Sequence, residues 1–297
     1  MEQYTFFGAP IPYPTESFSS WFHRFCLQQG MGFKQALDYF KIPLGRDLDY
    51  EIDHVTLHEI ATACAVAHDQ YLLWRSTSNT IQRHRAVRKK LRQTPRGEAT
   101  TAFCTDCLKS EDQPYLRLEW RFDFWRICPK HRQKLDHVCR NCKNQIILDK
   151  SILTASVPAP NLNFCKYCLS PFNGRIRTSI TPLSDEEIDK GLAIQRALMA
   201  TIIHGYGHIA PLKARVTPGV LIRLLDANLL STAVEGDFEE EVPQERAKYL
   251  KKMLRRFKTV ALRIERRKNW SQIKERAIER QIQHRRRKIR RPRRTGV

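Results

Sequence analysis

Apolar residues recur at helical spacing near the start of the chain. Positions i, i+3, i+4, i+7 and i+8 are occupied by Phe18, Trp21, Phe22, Phe25 and Cys26. This spacing predicts an amphipathic helix that ends at about Gln29. Thr15 is predicted to cap the helix, because a threonine hydroxyl can accept a hydrogen bond from a first-turn amide.

Further helix signals follow up to residue 76. Residues 33–40 predict a short second helix after Gly30-Met31-Gly32. The sequence Thr56-Leu57-His58-Glu59 has the form of a capping box and predicts the start of a third helix, and a short fourth helix is expected at about 69–75. Two helix–turn–helix units predict a helix-turn-helix-like domain over residues 1–76. Such patterns occur with and without a DNA-reading helix, so both interpretations stay open.

A polar, basic stretch follows the helical pattern. Residues 77–101 are predicted to form a basic linker in which seven cations precede the first acid, Glu98: Arg83, Arg85, Arg88, Lys89, Lys90, Arg92 and Arg96. A solvated connection and a phosphate-binding segment are both compatible with this composition.

The remainder of the chain predicts a helical domain over 176–242 and a basic helical arm over 243–297. Ser184–Glu187 forms a capping box, and Thr217-Pro218 is a cap followed by proline at the first helical position. Acidic residues 235–241 are predicted to form a loop. In the arm, an apolar stripe that includes Leu250, Leu254 and Phe257 predicts packing on the body or on a second copy of the chain, which would make a homodimer.

Charge is concentrated in that arm. The chain carries a net charge of +21, and residues 243–297, with 22 Lys/Arg and 4 Asp/Glu, carry +18 of it. An almost neutral body with a basic arm predicts a polyanionic partner, DNA or RNA. The candidate phosphate-binding residues are Arg285, Arg286, Arg287, Lys288, Arg290, Arg291, Arg293 and Arg294.

Composition argues against a membrane or secreted protein. No apolar run reaches the roughly 18–20 residues of a membrane span, and residues 1–7 lack the basic start and apolar core of a secretory signal. We therefore expect a cytoplasmic, nucleoid-associated bacterial protein with no membrane partner.

Cysteine spacing predicts the chemistry of residues 102–175. Four pairs of potential metal ligands follow one another, and two residues separate the members of each pair. The pairs are Cys104 and Cys107, Cys128 and His131, Cys139 and Cys142, and Cys165 and Cys168. Eight such ligands predict two tetrahedral zinc sites per chain in a tandem zinc-finger region. Spacing alone permits both sequential pairing and a cross-brace. His137 is a second candidate for the histidine, but only His131 keeps the two-residue gap.

The ligand sets predict structural metal ions and no catalysis. A catalytic zinc keeps an open position beside three protein ligands, whereas both sets here have four. We find no complete H-E-x-x-H, deaminase, phosphate-loop or G-x-S-x-G motif, and we expect Cys26 and Cys64 to be buried core thiols. The expected fold class is mainly α with small zinc-ribbon β elements.

Two parts of the sequence resemble one family. Residues 12–21 (PYPTESFSSW) resemble the opening motif of TniQ/TnsD proteins. Residues 103–108 (FCTDCL), 114–121 (PYLRLEWR) and 127–131 (ICPKH) resemble its zinc region. The resemblance covers about residues 10–175, and 176–297 match only loosely.

The resemblance implies a non-catalytic target-selection subunit of a multi-subunit transposon. Such a subunit recognises a DNA site or docks on an RNA-guided CRISPR complex, and it recruits an AAA+ ATPase of TnsC type. The resemblance also implies sequential zinc pairing. Within it, we expect Tyr115 and Trp120 to pack the zinc modules together, and stacking of these rings on bases is the alternative. An RNA-associated zinc-ribbon protein is the alternative function. We further expect chelation to unfold 102–175 and to affect the N-terminal helices less.

Overall fold

The computed structural model describes residues 6–150, 152, 162–172, 184–209 and 214–226. The helices are α1 (Phe18–Gln28), α2 (Phe33–Tyr39), α3 (His54–Ala63), α4 (His68–Arg83), α5 (Arg85–Arg88), α6 (Thr105–Ser110), α7 (Asp185–His204) and α8 (Pro218–Asp226). Two antiparallel pairs are formed by β1 (Thr100–Thr101) with β2 (Ile146–Ile147) and by β3 (Gly207–Ile209) with β4 (Ala214–Val216). The predicted mainly helical class with small sheets is confirmed. Across these ranges, none of the helices has the length and apolar character needed to cross a bilayer.

Helices α1–α4 pack around an aromatic core. Trp21, Phe22 and Phe25 on α1 are fully buried, and Trp74 on α4 lies 5.4 Å from Trp21 between ring centroids. The predicted apolar face of α1 is therefore the face that forms the core. Large rings dominate this small layer because each buries more apolar area than an aliphatic side chain.

Two predicted helix starts are wrong. Ser17, and not Thr15, caps α1 by accepting from the amide of Ser20, while Thr15 has a left-handed φ of 60°. Asp53 caps α3 and accepts from Thr56, which lies inside the helix, so no capping box forms at 56–59. In each case the side chain of a nearby residue accepts the hydrogen bonds from the free amides, and sequence spacing alone does not show which residue does so.

The predicted basic linker is mostly regular structure. Helix α4 continues to Arg83, and α5 follows it at once, so the short helix expected at 69–75 is in fact part of a 16-residue helix. Beyond α5, Leu91 and Gln93 form bridges with Phe122 and Ala99. Polar composition suggested a solvated connection, but Trp74, Thr77 and Ile81 are buried on one face of α4.

The N-terminal helical layer is joined to the cysteine region by backbone hydrogen bonds. The amide of Ser17 donates to Leu116 at 3.0 Å, and the amide of Leu118 donates to Thr15 at 2.7 Å. The Ser20 hydroxyl accepts from Leu116 at 2.9 Å. These buried bonds join the predicted N-terminal domain of residues 1–76 to the cysteine region.

A buried ion-pair network strengthens the same interface. The Arg121 guanidinium binds Asp47 and, at 2.7 Å, Asp49. Asp49 also accepts from the amide and hydroxyl of Ser19 on α1, both at 2.9 Å, and Arg121 donates to the carbonyl of Thr100 in β1. Because these groups are buried, each charge depends on its partner.

Helix α7 packs on the cysteine region and on α4. Its predicted capping box at Ser184–Glu187 is confirmed. The Gln195 side chain donates to the carbonyl of Ile127 at 2.7 Å and accepts from its amide at 3.2 Å. A Cβ at Gly191 would lie 2.7 Å from Cδ1 of Ile127, so glycine permits this close approach. Helix α8 begins at Pro218 as predicted, whereas the predicted loop at 235–241 and arm at 243–297 lie outside the described residues.

Candidate metal centres

Four residues of the cysteine region converge to form the first cluster: Cys104, Cys107, Cys128 and His131. Their ligand atoms all lie within 4.8 Å of one another. The Nδ1 atom of His131 is 3.3 Å from Cys104 Sγ, 3.4 Å from Cys107 Sγ and 3.7 Å from Cys128 Sγ. The three cysteines are buried and the histidine is half-buried.

The second cluster has the same form with four sulfur atoms: Cys139, Cys142, Cys165 and Cys168. Its Sγ atoms approach to 3.7 Å between Cys139 and Cys168 and to 3.6 Å between Cys142 and Cys165. Cys142 and Cys168 are half-buried. The eight residues are thus grouped in chain order, as the family resemblance implies, and not as a cross-brace.

Both arrangements fit a tetrahedral metal ion. With a zinc–sulfur bond of about 2.3 Å, the sulfur atoms at the corners of a tetrahedron are separated by about 3.8 Å. The observed sulfur–sulfur distances of 3.5–3.7 Å are close to that edge. The four ligand atoms of each cluster can therefore hold one ion.

Three of the four ligand pairs share one backbone turn. In each turn, the amide of the first cysteine donates to the carbonyl five residues later, at 2.8–2.9 Å. The donors are Cys128, Cys139 and Cys165, and the acceptors are Gln133, Asn144 and Ser170. This bond reverses the chain so that the first and fourth residues of the turn face the same point.

The fourth residue after each of these cysteines has left-handed backbone geometry. The φ angles are 51° at Arg132, 62° at Lys143 and 55° at Leu169. Each of these residues donates its amide back to the cysteine carbonyl at 2.8–2.9 Å. Since a side chain in this region is strained, the turns store local strain at the clusters.

The first pair is built differently. Cys104 occupies the N-cap position of α6, and its carbonyl accepts from the amide of Leu108 at 3.0 Å. Cys107 lies one turn into the helix. The N-terminal end of a helix favours negative charge, which suits thiolate ligands.

Amide side chains around the clusters donate to the sulfur atoms. Gln133 lies 3.3 Å from Cys104 Sγ, and Asn144 lies 3.4 Å from Cys142 Sγ. Neither residue is predicted as part of the site from the sequence. Their positions could have predicted them, because each lies five residues after the first cysteine of a turn. Such outer donors orient metal ligands and stabilise the thiolate form.

The thiol pKa is lowered at one cysteine of each cluster, Cys104 and Cys168, and is raised at Cys107, Cys128, Cys139 and Cys165. Hydrogen bonds from the thiols of Cys107 and Cys128 hold the pKa of the Cys104 thiol below its usual range. Hydrogen bonds from the Asn141 side chain and the Ser170 backbone lower the pKa of Cys168 to about 6. A deprotonated sulfur is the form that binds a metal ion.

Three residues considered beside the ligands lie elsewhere. His137 is exposed and belongs to neither cluster. Cys26 and Cys64 are buried in the aromatic core, where burial raises the pKa of each thiol to about 12. They are core thiols, as predicted.

Tyr115 connects the cysteine region to the chain before α1. Its ring stacks on Tyr13 with centroids 4.7 Å apart, and its hydroxyl donates to the carbonyl of Pro14 at 3.3 Å. Trp120 is fully buried, and its carbonyl accepts from Ala102 at 3.1 Å. The expectation that both residues pack the zinc modules against each other is therefore wrong for Tyr115, which packs on the N-terminal segment.

The candidate nucleic-acid contacts divide into two groups. Residues 285–294 lie outside the described residues. In the segment predicted as a linker, Arg83, Arg85, Arg88 and Lys89 are exposed, whereas Arg92 is partly buried and donates to the carbonyls of Asp123 and Trp125. The structure thus separates exposed cations from one that supports the fold.

Part of the chain is similar to a known protein family. Residues 8–135 match the model of the TniQ family. The matched segment contains α1–α6 and the whole first cluster, whereas the second cluster lies beyond its end. The search of curated proteins found no match to the chain.

Proposed function

We propose, from the match of residues 8–135 to the TniQ family model, that the chain is a target-selection adaptor of a multi-subunit transposon. It would link a DNA site, or an RNA-guided CRISPR complex, to an AAA+ ATPase of TnsC type that brings the transposase. The family match is the observation that carries this proposal. Family membership by itself implies a role in transposition-associated target selection.

We further propose that the chain binds two zinc ions. The first would be held by three thiolates and the imidazole of His131, and the second by four thiolates. Zinc suits this set because it is borderline-soft and has no preferred geometry of its own. With four protein ligands each, the ions have no open position for a substrate, which supports a structural role and a protein without catalysis.

Two targeting modes are compatible with the proposed role. A direct reader of DNA would place one helix against base edges, while a CRISPR-docking adaptor needs only a protein surface. In either mode the basic arm would contact a nucleic-acid backbone, in the bacterial cytoplasm at the nucleoid. A homodimer formed through the apolar stripe of the arm is part of the same proposal.

Recruitment of the ATPase to DNA tests the adaptor role. The purified chain is combined with the AAA+ ATPase of the same transposon and with labelled target DNA, with the cognate CRISPR complex present or absent. We expect the ATPase to assemble on the DNA only when this chain is present. The ATPase of an unrelated element is the control. RNA binding without any recruitment would contradict the adaptor role and favour the zinc-ribbon RNA-binding alternative.

Deletion of residues 285–297 tests the role of the basic arm. Each phosphate contact contributes about −0.9 to the slope of log affinity against log salt on duplex DNA. We expect the deletion to weaken binding and flatten this slope without changing sequence preference, because phosphate contacts position a protein without specifying a sequence. Unchanged affinity and slope would show that the tail only carries charge.

A further inference from the structure

A basic groove lies between α5 and α8. It has a volume of about 550 Å³ and is lined by Arg85, Ala86, Lys89, Lys90, Arg223 and Asp226. Four of the six lining residues are cations, and one is an acid. Neither metal cluster contributes to it.

Buried apolar residues of α5 and α8 support this groove. Val87 on α5 and Leu224 on α8 are fully buried, and Ile222 is almost completely buried. At the start of α8, a Cβ on Gly219 would meet the His84 ring at 3.5 Å, an ordinary packing distance. The exposed side chains of the groove therefore stand on two packed helices whose spacing is set by apolar contacts.

The cations of the groove differ in what they bind. Lys90 pairs with Asp226 of α8 at 2.6 Å and with Asp123 at 3.8 Å, so it connects α8 to the segment that contains Asp123. Arg85 and Lys89 are exposed, and among the described residues neither forms an ion pair with a carboxylate. Their charges are available to an external anion.

The chemistry of the lining indicates which anion fits. Single-stranded nucleic acid is bound on aromatic side chains that stack with its bases. The residues that line the groove include no aromatic ring, and their exposed charged groups suit phosphate oxygens. A duplex presents its phosphates outward at regular intervals and needs no stacking surface.

We propose that the α5–α8 groove binds the phosphate backbone of duplex DNA, with Arg85 and Lys89 as its principal contacts. This inference rests on the proposed function, since a target-selection adaptor acts on target DNA. The groove would fix the position of the protein body on the duplex, while the basic arm adds further contacts. It would carry no sequence preference, because it offers no base-reading side chain.

The test uses the full chain with Arg85→Gln and Lys89→Gln combined. Loss of two phosphate contacts should reduce the salt slope on a nonspecific duplex by about 1.8 and weaken binding about tenfold or more at low salt. The matched control is Lys34→Gln with Arg46→Gln, which removes the same charge from exposed positions that do not line the groove. The control should leave the slope nearly unchanged. Both variants should melt at the temperature of the unmodified chain.

Unchanged DNA binding in the groove variant would overturn the proposal, and so would either of two further outcomes. One is an equal loss in both variants, which would indicate a general charge effect. The other is a loss on duplex RNA with none on duplex DNA. The ATPase-recruitment assay on the unmodified chain separates this result from the proposed function. Recruitment with an unaffected groove variant rejects the groove alone, whereas no recruitment with weakened DNA binding rejects the adaptor role alone.

Discussion

The two metal clusters lie in different surroundings. Around the first, Phe103, Leu108 and Trp120 are almost fully buried. Beside the second, Tyr167 and Leu169 are 47% and 46% exposed. The first cluster also lies inside the segment that matches the TniQ family, and the second lies outside it.

This difference teaches that similar ligand sets can have different structural roles. The segment around the first cluster pairs with residues 116–121, which hold α1 through Ser17 and Ser20. The second cluster is linked to the rest of the cysteine region by other contacts, such as the Phe103–Phe172 ring pair, whose centroids are 4.6 Å apart, and the β1–β2 strand pair. We therefore expect the first metal ion to stabilise the common core and the second to stabilise mainly its own turns.

Removing one ligand from each cluster tests that contrast most strongly. Cys128→Ser should release one zinc ion and also expose amides of α1 to hydrogen exchange, because structural zinc typically contributes about 10 kcal/mol or more of folding free energy. The bonds of residues 116–118 to Thr15 and Ser17 thus replace the expectation from the sequence that metal loss affects the N-terminal helices less. Cys165→Ser should release one zinc ion and leave α1 protected. Elemental analysis and hydrogen exchange measure both results. Equal protection of α1 in the two variants would contradict the contrast.

Pairing of the ligands is tested with the same method. Cys104→Ser and Cys128→Ser should each lose the ion of the first cluster, so the double variant should still hold one zinc ion. In a cross-braced protein the double variant would lose both ions. Metal content below two in the unmodified chain, purified without a chelator, would reject the zinc proposal itself.

The ion-pair network at the interface should give the next largest effect. Arg121→Met leaves Asp47 and Asp49 buried without their cation, which typically costs about 3–5 kcal/mol of unfolding free energy. Urea denaturation measures the loss. Arg132→Met is the matched control, because Arg132 pairs with the exposed carboxylates of Asp185 and Asp189, and its loss should leave the midpoint almost unchanged.

A buried carboxyl at the same interface predicts a pH dependence. Burial raises the pKa of Glu119 to about 7, although a hydrogen bond from Thr15 opposes the shift. The folded chain then binds this proton more tightly than the unfolded chain, so its contribution to stability is lost as pH rises from about 4.5 to about 7.

Glu119→Gln should remove that loss. The difference in unfolding free energy between variant and unmodified chain should grow in favour of the variant across this range and level off above it. Urea denaturation at several pH values measures the difference, which also cancels the titration of other groups. A constant difference from pH 4.5 to 8 would show that Glu119 does not titrate in this range.

The smallest expected effect concerns the strained turns. Leu169 has a φ of 55° and is about half exposed, so Leu169→Gly should relieve strain and stabilise the second cluster by about 0.5–1 kcal/mol. Competition with a chelator measures the gain. Leu44→Gly, at an exposed leucine without positive φ, should give no gain.

Local features could be predicted from the sequence, because the residues that indicate each of them lie close together along the chain. The apolar stripe of Phe18, Trp21 and Phe25 predicted α1, and the Ser184–Glu187 box predicted the start of α7. Two-residue gaps predicted all eight members of the two clusters, because a turn that can bind metal is a local structure. The family resemblance was readable for the same reason, as its motifs are short and ordered.

Features that depend on residues far apart in the sequence became clear only in the tertiary structure. Residues 77–83 are polar in composition, yet they are helical because Thr77 and Ile81 face a core built by other segments. Sequence spacing left the pairing of the cysteine and histidine residues open, and the positions of their side chains in the structure group them in chain order. The bond of Arg121 to Asp47 and Asp49 joins positions more than 70 residues apart, so no local pattern could predict it. This contact joins the helical layer to residue 121 of the cysteine region, since a buried charge is stable only beside its partner.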